Sequence, residues 1–232
     1  MLRLAAQPGT KIKNQKMSIN ISIIIVVITA VVSFLSFNNR NMMDKLIFYP
    51  PDIANRKQWY RFFSNGLIHA DIGHLFFNMY SLYLFGPIVE ADFVTIFGNS
   101  GELLYLVMYV SSLAVCLIPT YQKNKENYHY RSLGASGAVS AVIFAALLIE
   151  PLNGVGLIFI PNFTIPGFVF GPLFLIITAY LDKRGGGGIN HSAHLWGALY
   201  GIVFLIVLSF ALQTGFNPFT NFGHSVEQYF MK

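Results

Sequence analysis

A serine among small residues is the first place where this sequence could carry chemistry. Ser136 lies within the run Leu133-Gly134-Ala135-Ser136-Gly137, at the start of a predicted apolar helix. The first turn of a helix leaves backbone N–H groups without intrahelical partners, and the helix dipole makes that end positive. These groups could stabilise the oxyanion that forms when Ser136 attacks a carbonyl. The alternative is helix packing, since small side chains allow a neighbouring helix to come close.

A histidine that could activate this serine lies further along the chain. His194, Gly197 and Gly201 are at i, i+3 and i+7, which places them on one face of a predicted helix. If that face packs against the helix that carries Ser136, the imidazole can act as its general base. No acidic residue lies close to His194 in the sequence, so a Ser–His dyad is expected instead of a triad. A histidine satisfied by a backbone carbonyl or by water is the alternative.

A second histidine is paired with an asparagine. His74 and Asn78 are at i and i+4 of another predicted helix, so their side chains point the same way. Each can donate a hydrogen bond, which suits an anionic tetrahedral intermediate. His69 lies off this face, at the mouth of the helix.

A metal site is the other chemistry to weigh, with possible ligands at His69, His74, His191 and His194. The helical zinc motif needs two histidines four residues apart and a nearby carboxylate, and the sequence lacks that arrangement. His191 also shares the face of the two glycines less well than His194 does. We therefore expect neither a metal nor a cofactor.

The elements that must position these residues are predicted by composition. Of the 232 residues, 54% are hydrophobic and only 11% are charged, and the mean hydropathy is +0.55. Soluble domains carry about a quarter charged residues, so the chain is predicted to be a polytopic membrane protein. These values exclude a disordered, collagenous or coiled-coil chain. The net charge of +5 is better explained by loops beside anionic lipid than by a nucleic-acid surface. The single cysteine, Cys116, cannot form an internal disulfide.

A membrane-spanning helix typically needs about 17–25 mostly apolar residues, and six apolar segments are candidates, of which the fifth is shorter than that. They cover residues 19–37, 72–89, 103–120, 132–149, 168–181 and 192–212. The predicted fold class is therefore all-α, with six transmembrane helices. We expect short interfacial helices over residues 38–68 and an irregular connection over 151–166. No internal repeat is present.

The predicted organisation is a disordered leader over residues 1–17, a six-helix domain over 18–216 and a short tail over 217–232. The first span is expected to be uncleaved, because it is longer than the apolar core of a signal peptide and no small-x-small site follows it. With a cytoplasmic N-terminus, only five of the fifteen Lys and Arg residues would face the cytoplasm. That count opposes the positive-inside rule, so charge leaves the orientation open.

Taken together, these motifs resemble the rhomboid family of intramembrane serine proteases over residues 59–208. Four features carry the resemblance in this order along the chain: Trp59-Tyr60-Arg61, then His69 with His74 and Asn78, then Gly134-Ala135-Ser136-Gly137, then Ala193-His194-x-x-Gly197-x-x-x-Gly201. The chain departs from the usual family pattern at two places. Many family members have an aromatic residue where this chain has Ser140, and in the first motif Tyr60 separates Trp59 from Arg61.

The resemblance implies a rhomboid-like six-helix bundle with a hydrated cavity open to one membrane face. Ser136 would be the nucleophile and His194 the general base, with His74, Asn78 and the Ser136 N–H as the oxyanion hole. Gly197 and Gly201 would pack the sixth helix against the fourth. The fifth helix and residues 185–188 would form a gate and a cap.

The resemblance further implies that the substrates are transmembrane proteins within a lipid bilayer, without nucleic-acid partners. It places the N-terminus in the cytoplasm, and we expect a multi-pass protein of a bacterial inner (cell) membrane. An inactive rhomboid-like binding protein is the main alternative, although such proteins typically lose the serine or the histidine. A transporter or channel would need a continuous polar path, whereas the polar residues gather at one end of three spans.

Overall fold

The computed structural model describes residues 20–156, 164–184 and 189–231 of the chain. This part of the chain is mostly helical, as the predicted fold class requires. The longer helices have 14 to 26 residues: α1 (Ile21–Phe37), α5 (Ile72–Phe97), α6 (Gly101–Val115), α8 (Ser136–Ile149), α9 (Gly167–Arg184) and α10 (His191–Ala211). The shorter ones are α2 (Arg40–Leu46), α3 (Pro50–Arg56), α4 (Arg61–Ser64), α7 (Ile118–Asn124) and α11 (Pro218–Phe230). The predicted leader over 1–17 and the glycines at 185–188 lie outside the described residues.

Length and composition identify two helical stretches, within the described ranges, that could cross a membrane. These are Ile72–Asn124, which includes α5 to α7, and His191–Ala211. Two shorter apolar helices, Ile21–Phe37 and Ser136–Ile149, accompany them. A helix rises about 1.5 Å per residue, so helices of this length are short for a hydrocarbon layer of about 30 Å. The number of six spans therefore stays a prediction.

Several predicted spans have different ends in the structure. The span predicted over 72–89 continues as helix α5 to Phe97. The span predicted over 132–149 begins as a helix only at Ser136, because the backbone of Ser132 pairs with that of Phe48 in an isolated antiparallel bridge. Gly134 then has φ +115°, which is incompatible with a helix. The span predicted over 103–120 ends at Val115, because Pro119 cannot donate a hydrogen bond to continue it.

The connection predicted as irregular over 151–166 contains a small β-hairpin, which corrects that expectation. Strand β1 (Gly154–Gly156) pairs with β2 (Thr164–Pro166) in antiparallel register. Backbone groups between two helices need partners, and this short ladder supplies them. The fold is therefore mainly but not purely α-helical in the described part of the chain.

The segment between α1 and α5 contains the short helices predicted for it, and one arginine holds them together. Arg61 is buried, at 5% exposure, and its guanidinium donates hydrogen bonds to the carbonyls of Asp44 (2.9 Å) and Ile47 (2.7 Å). It also lies 3.4 Å from a carboxylate oxygen of Asp52. A buried guanidinium needs several acceptors, and here they come from the segment before α4.

The N-terminus of α1 is capped from a distant part of the chain. The carboxylate of Glu90 accepts hydrogen bonds from the backbone N–H groups of Ile21 (2.8 Å) and Ser22 (3.1 Å), and Glu90 is 7% exposed. A negative charge at this position is favourable because the helix dipole and the unpaired N–H groups both attract it. Glu90 is therefore a buried cap, although its place at the end of a predicted span would suit an interfacial charge.

Helix α8 occupies the centre of the bundle and packs against α5, α6, α9, α10 and α11. Its closest partner is α10, and glycines allow the two backbones to touch. A Cβ at Gly197 would overlap the Gly137 carbonyl, and one at Gly201 would overlap the Ala141 carbonyl. These are the two α10 glycines predicted to face a partner helix. The contact sets the spacing of α8 and α10, and so the positions of Ser136 and His194.

We expect Gly197→Ala to destabilise the protein by about 1–3 kcal/mol or more, because the added methyl group pushes two helix backbones apart. Thermal unfolding in detergent measures this change. Gly223→Ala is the matched control, since Gly223 is in helix α11 and an added Cβ meets nothing within 4 Å. An alanine at Gly197 that is as well tolerated as the control would contradict the packing described for α8 and α10.

Candidate active site

The side chains of Ser136 and His194 meet at the N-terminal ends of two packed helices. Ser136 is the first residue of α8, and His194 lies in the first turn of α10. The distance from His194 Nε2 to Ser136 Oγ is 2.6 Å. If the hydroxyl donates this hydrogen bond, Nε2 accepts it and the proton of the neutral imidazole is on Nδ1. The arrangement has the geometry of a nucleophile beside its general base.

The first turn of α5 faces the same cavity. Asp71 caps this helix by accepting a hydrogen bond from the His74 N–H at 2.8 Å. Asn78 lies one turn later, at 6% exposure, and its amide donates to the His74 carbonyl at 3.0 Å. A side-chain amide has two N–H groups, so a second donor remains. The structure thus brings together the two pairs that the sequence analysis singled out.

The cavity around these residues has a volume of about 920 Å³. Its lining includes Ser136, His194, His74 and Asn78, together with Phe174 from α9. A volume of this size is within the range of about 300–1,000 Å³ that is typical of ligand-binding clefts. Three helices, α5, α8 and α10, therefore present the start of their first turns to one cavity, where their dipoles favour negative charge.

The backbone just before Ser136 is held in a conformation that only glycine adopts easily. Gly134 has φ +115°, and its N–H donates to the Asn65 carbonyl at 3.0 Å. A Cβ on Gly134 would lie 2.7 Å from Cε1 of His74. Ala135, the residue at the N-cap position of α8, supplies no side-chain cap. The N–H groups of the first turn are therefore not engaged by a capping side chain.

Asn190 is a site residue that the sequence analysis missed. Its side-chain oxygen accepts hydrogen bonds from the Ala193 N–H (3.1 Å) and the Thr120 hydroxyl (3.2 Å), and its amide donates to the Ser132 hydroxyl (3.3 Å). One side chain thus joins the start of α10 to α7 and to the segment before Ser136. The signal was available in part, because asparagine directly before an apolar helix is a typical N-cap. The contacts of Asn190 with Thr120 and Ser132 could not be predicted, because these residues are distant in the sequence.

Tyr130 adds a neutral hydroxyl beside this cluster. Burial raises the pKa of Tyr130, and hydrogen bonds to Ser132 and Thr120 partly oppose that shift. The phenol therefore stays protonated at neutral pH and can donate a hydrogen bond.

The remaining histidines lie beside the two pairs. The centroid of the His191 ring is 6.1 Å from that of the His194 ring, and the two rings are edge to face. Ser140, where many family members have an aromatic residue, is buried in α8. The His69 ring is 4.9 Å from the His74 ring in a similar arrangement. Among the residues that the structure describes, no group of three or more His, Cys, Asp or Glu side chains is placed to hold a metal ion.

Comparison with known proteins identifies the family of this chain. The family model for the rhomboid domain matches residues 56–210, which is more than half of the chain. The chain belongs to the rhomboid family. Within this family, the described fold and the apolar helices identify it as an integral membrane protein.

Individual relatives are similar over parts of their length. The "Presenilin-associated rhomboid-like protein, mitochondrial" of Rattus norvegicus is 30% identical over 146 residues, which cover 59% of this chain and 35% of that protein. The "RHOMBOID-like protein 12, mitochondrial" of Arabidopsis thaliana is 28% identical over 172 residues, 70% of this chain and 50% of the relative. The "Putative rhomboid protease YdcA" of Bacillus subtilis is 33% identical over 96 residues, 41% of this chain and 43% of the relative.

This rhomboid chain therefore spans between about a third and a half of the length of these curated relatives. Two of the three are named as mitochondrial, and another relative is named as chloroplastic. The expected location in a membrane is supported, but the expected bacterial inner membrane is not.

We expect Gly134→Ala to destabilise the protein through two effects, a strained backbone and an overlap with the His74 ring. Gly215→Ala is the matched control, because Gly215 has φ +80° and an added Cβ there meets nothing within 4 Å. The control should cost only the backbone strain, about 1–3 kcal/mol, and Gly134→Ala should cost about 1–3 kcal/mol more. Thermal unfolding in detergent measures both, and equal losses would contradict the close contact with His74.

We expect Asn190→Ala to loosen the first turn of α10 by about 1 kcal/mol, because the helix loses its N-cap. Amide hydrogen exchange near Ala193 should become about fivefold faster. Asn217→Ala is the matched control, since Asn217 caps α11 by accepting from the N–H groups of Phe219 and Thr220. That control should loosen α11 alone, and unchanged exchange in α10 of the Asn190 variant would refute the capping role.

Proposed function

We propose that this rhomboid protein is an intramembrane serine endopeptidase that uses a Ser–His dyad. The observation that carries this proposal is the 2.6 Å contact between Ser136 Oγ and His194 Nε2 inside a cavity of a membrane protein. Ser136 is the nucleophile and His194 is the general base. His74, Asn78 and the Ser136 N–H bind the oxyanion, while Gly197 and Gly201 pack α10 against α8.

The reaction proceeds in two halves. Ser136 Oγ attacks the scissile carbonyl carbon while its proton passes to His194 Nε2, which gives a tetrahedral oxyanion. The imidazolium then gives this proton to the leaving amine as the C–N bond breaks, leaving an acyl-enzyme ester. A water molecule from the cavity attacks the ester, with His194 again accepting the proton, and the carboxylic product leaves as Ser136 recovers its hydrogen.

Proteins with transmembrane segments are the proposed substrates, and the bilayer is the medium in which they are presented. The peptide bonds of a helix are shielded by their own hydrogen bonds, so a substrate helix must unwind locally before its carbonyl can reach Ser136. Release of the acyl-enzyme consumes water, and the polar cluster at the cavity provides a hydrated place for it. No cofactor is part of the proposed mechanism.

We also propose six membrane spans within residues 18–216, with residues 1–17 as a leader and 217–232 as a C-terminal tail. The six longer helices support the number of spans. The tail contains helix α11, and the Asn221 amide donates to the Ile149 carbonyl at 2.7 Å, so the tail is joined to the end of α8.

We expect Ser136→Ala and His194→Ala each to lower the cleavage rate of a model transmembrane substrate by at least about a thousandfold, because each variant loses one half of the dyad. The measurement is proteolysis by the purified full chain in detergent or proteoliposomes. A fluorophosphonate reacts with an activated serine, so this reagent should label the wild type at Ser136. The Ser136→Ala variant should not be labelled.

Matched controls are available in other parts of the same fold. Ser209→Ala removes a buried serine whose hydroxyl donates to the Leu205 carbonyl of its own helix, and His224→Ala removes an exposed histidine of α11. Both should cleave the substrate normally. Cleavage that survives Ser136→Ala would rule out the proposed nucleophile, and a wild type that neither cleaves nor reacts would favour a binding protein.

A further inference from the structure

His69 is a buried histidine to which the proposed mechanism assigns no role. It precedes α5, is 0% exposed and lies between α1 and the segment that leads into α8. Its Nδ1 is 2.9 Å from the Ser33 hydroxyl of α1, and its Nε2 is 3.4 Å from the backbone nitrogen of Ala135. When both ring nitrogens of a buried imidazole have hydrogen-bond partners, these partners determine the orientation of the ring and its tautomer.

The hydrogen bonds around His69 run in one direction. The Ser33 hydroxyl donates its single proton to the Leu67 carbonyl at 2.9 Å, so toward His69 the same oxygen must act as an acceptor. His69 Nδ1 therefore carries a proton. In the neutral ring Nε2 then has a lone pair, and this is the atom that faces the Ala135 N–H.

The charge state of His69 is consistent with this assignment. Burial, the larger cause, and the neighbouring His74 together lower the pKa of His69 to about 3, while Asp71 acts in the opposite direction. The ring is therefore neutral at physiological pH. Protonation of Nε2 would place an N–H against the Ala135 N–H, and two donors facing each other cannot form a hydrogen bond.

The proposed oxyanion site consists of His74, Asn78 and the Ser136 N–H, and His69 lies against two of these three components. One is the backbone before Ser136, through Ala135, and the other is the His74 ring, whose centroid lies 4.9 Å from that of His69. A Cβ built on Gly134 would contact both rings, at 2.7 Å from His74 Cε1 and 3.8 Å from His69 Cδ2. The two rings and the peptide before the nucleophile thus form one packed unit, and a change in His69 must move the others.

Resting on the proposed proteolytic function, we propose that His69 is a positioning residue for the oxyanion site. The Nδ1–H tautomer, set by Ser33, accepts the Ala135 N–H and so directs the Ser136 N–H and the His74 side chain toward the substrate carbonyl. His69 itself does not touch the substrate. Helix α1 is thereby coupled to the catalytic centre through Ser33.

The tautomer is measured in the wild-type protein, so the result does not depend on the activity of any variant. The full chain is labelled with ¹⁵N-histidine in detergent, and the His69 signals are assigned by their loss in His69→Gln. We expect the pair of ring shifts that is typical of a protonated Nδ1 and an unprotonated Nε2, unchanged between pH 6 and pH 8 (about the range that brackets an ordinary histidine pKa). A proton found on Nε2 would overturn the proposal.

Kinetics test the positioning role. His69→Asn can keep a donor near Ser33 but is too short to reach Ala135, whereas His69→Gln can place a carbonyl near the Nε2 position. We expect His69→Asn to lower kcat by about tenfold to a hundredfold with KM within about twofold, because the loss is in transition-state stabilisation. His69→Gln should lower kcat less, so that the decrease in log kcat is at most about half of that in His69→Asn.

Ser33→Ala should lower kcat in the same way, and Ser36→Ala is its matched control in the same helix. Ser36 is buried too, but its hydroxyl donates to the Ser33 carbonyl and not to His69. Thermal unfolding of each variant separates positioning from a loss of folding. Equal kcat values for His69→Asn and the wild type would overturn the proposal. It would also be overturned if Ser36→Ala lowered kcat as much as Ser33→Ala did while the two variants unfolded at the same temperature.

The outcomes for this inference and for the proposed function are separate. A wild type no more active than Ser136→Ala would overturn the proteolytic function, whatever the tautomer of His69. An active wild type with the wrong tautomer, or with an unaffected His69→Asn variant, would overturn the positioning role alone.

Discussion

The close approach of α8 and α10 sets the geometry of the candidate active site. At Gly197 and Gly201 the backbone of α10 lies directly against the carbonyls of Gly137 and Ala141. Any larger side chain would separate the helices, and a hydrogen bond of 2.6 Å between Ser136 and His194 tolerates a change of only a few tenths of an ångström. Backbone packing in the middle of the bundle therefore decides side-chain chemistry at its end.

Polar groups at the cavity end of the bundle are tied to each other by hydrogen bonds between distant segments. Asn190 joins α10, α7 and Ser132, His69 joins α1 to Ala135, and Gly134 donates to Asn65. Unpaired polar groups are costly where water is scarce, so such networks tend to define one arrangement. The convergence of three helix N-termini adds a positive electrostatic environment, which would favour the oxyanion of the proposed mechanism.

Much of the fold could be predicted from the sequence because apolar helices have a strong local signal. The helical character follows from the apolar composition, and short helices are expected over residues 38–68, before α5. The start of α8 could not be predicted, since the Ser132–Phe48 bridge joins residues that are distant in the chain. The β1–β2 pairing is closer in the chain, but strands of three residues each are too short to leave a clear alternating pattern. The capping role of Glu90 could not be predicted either, because the helix that it caps, α1, begins 69 residues earlier in the chain.

For the site, the residue types and their helical faces can be read from the sequence: a serine at a helix start, a histidine on a glycine face, and a histidine one turn before an asparagine. The contacts between segments come from the fold: Ser136 touches His194, Asn190 caps α10 and also binds Thr120 and Ser132, and His69 faces Ala135. Local periodicity specifies which side of a helix a residue occupies. Distances between helices depend on how their side chains interlock, and no single segment contains that information.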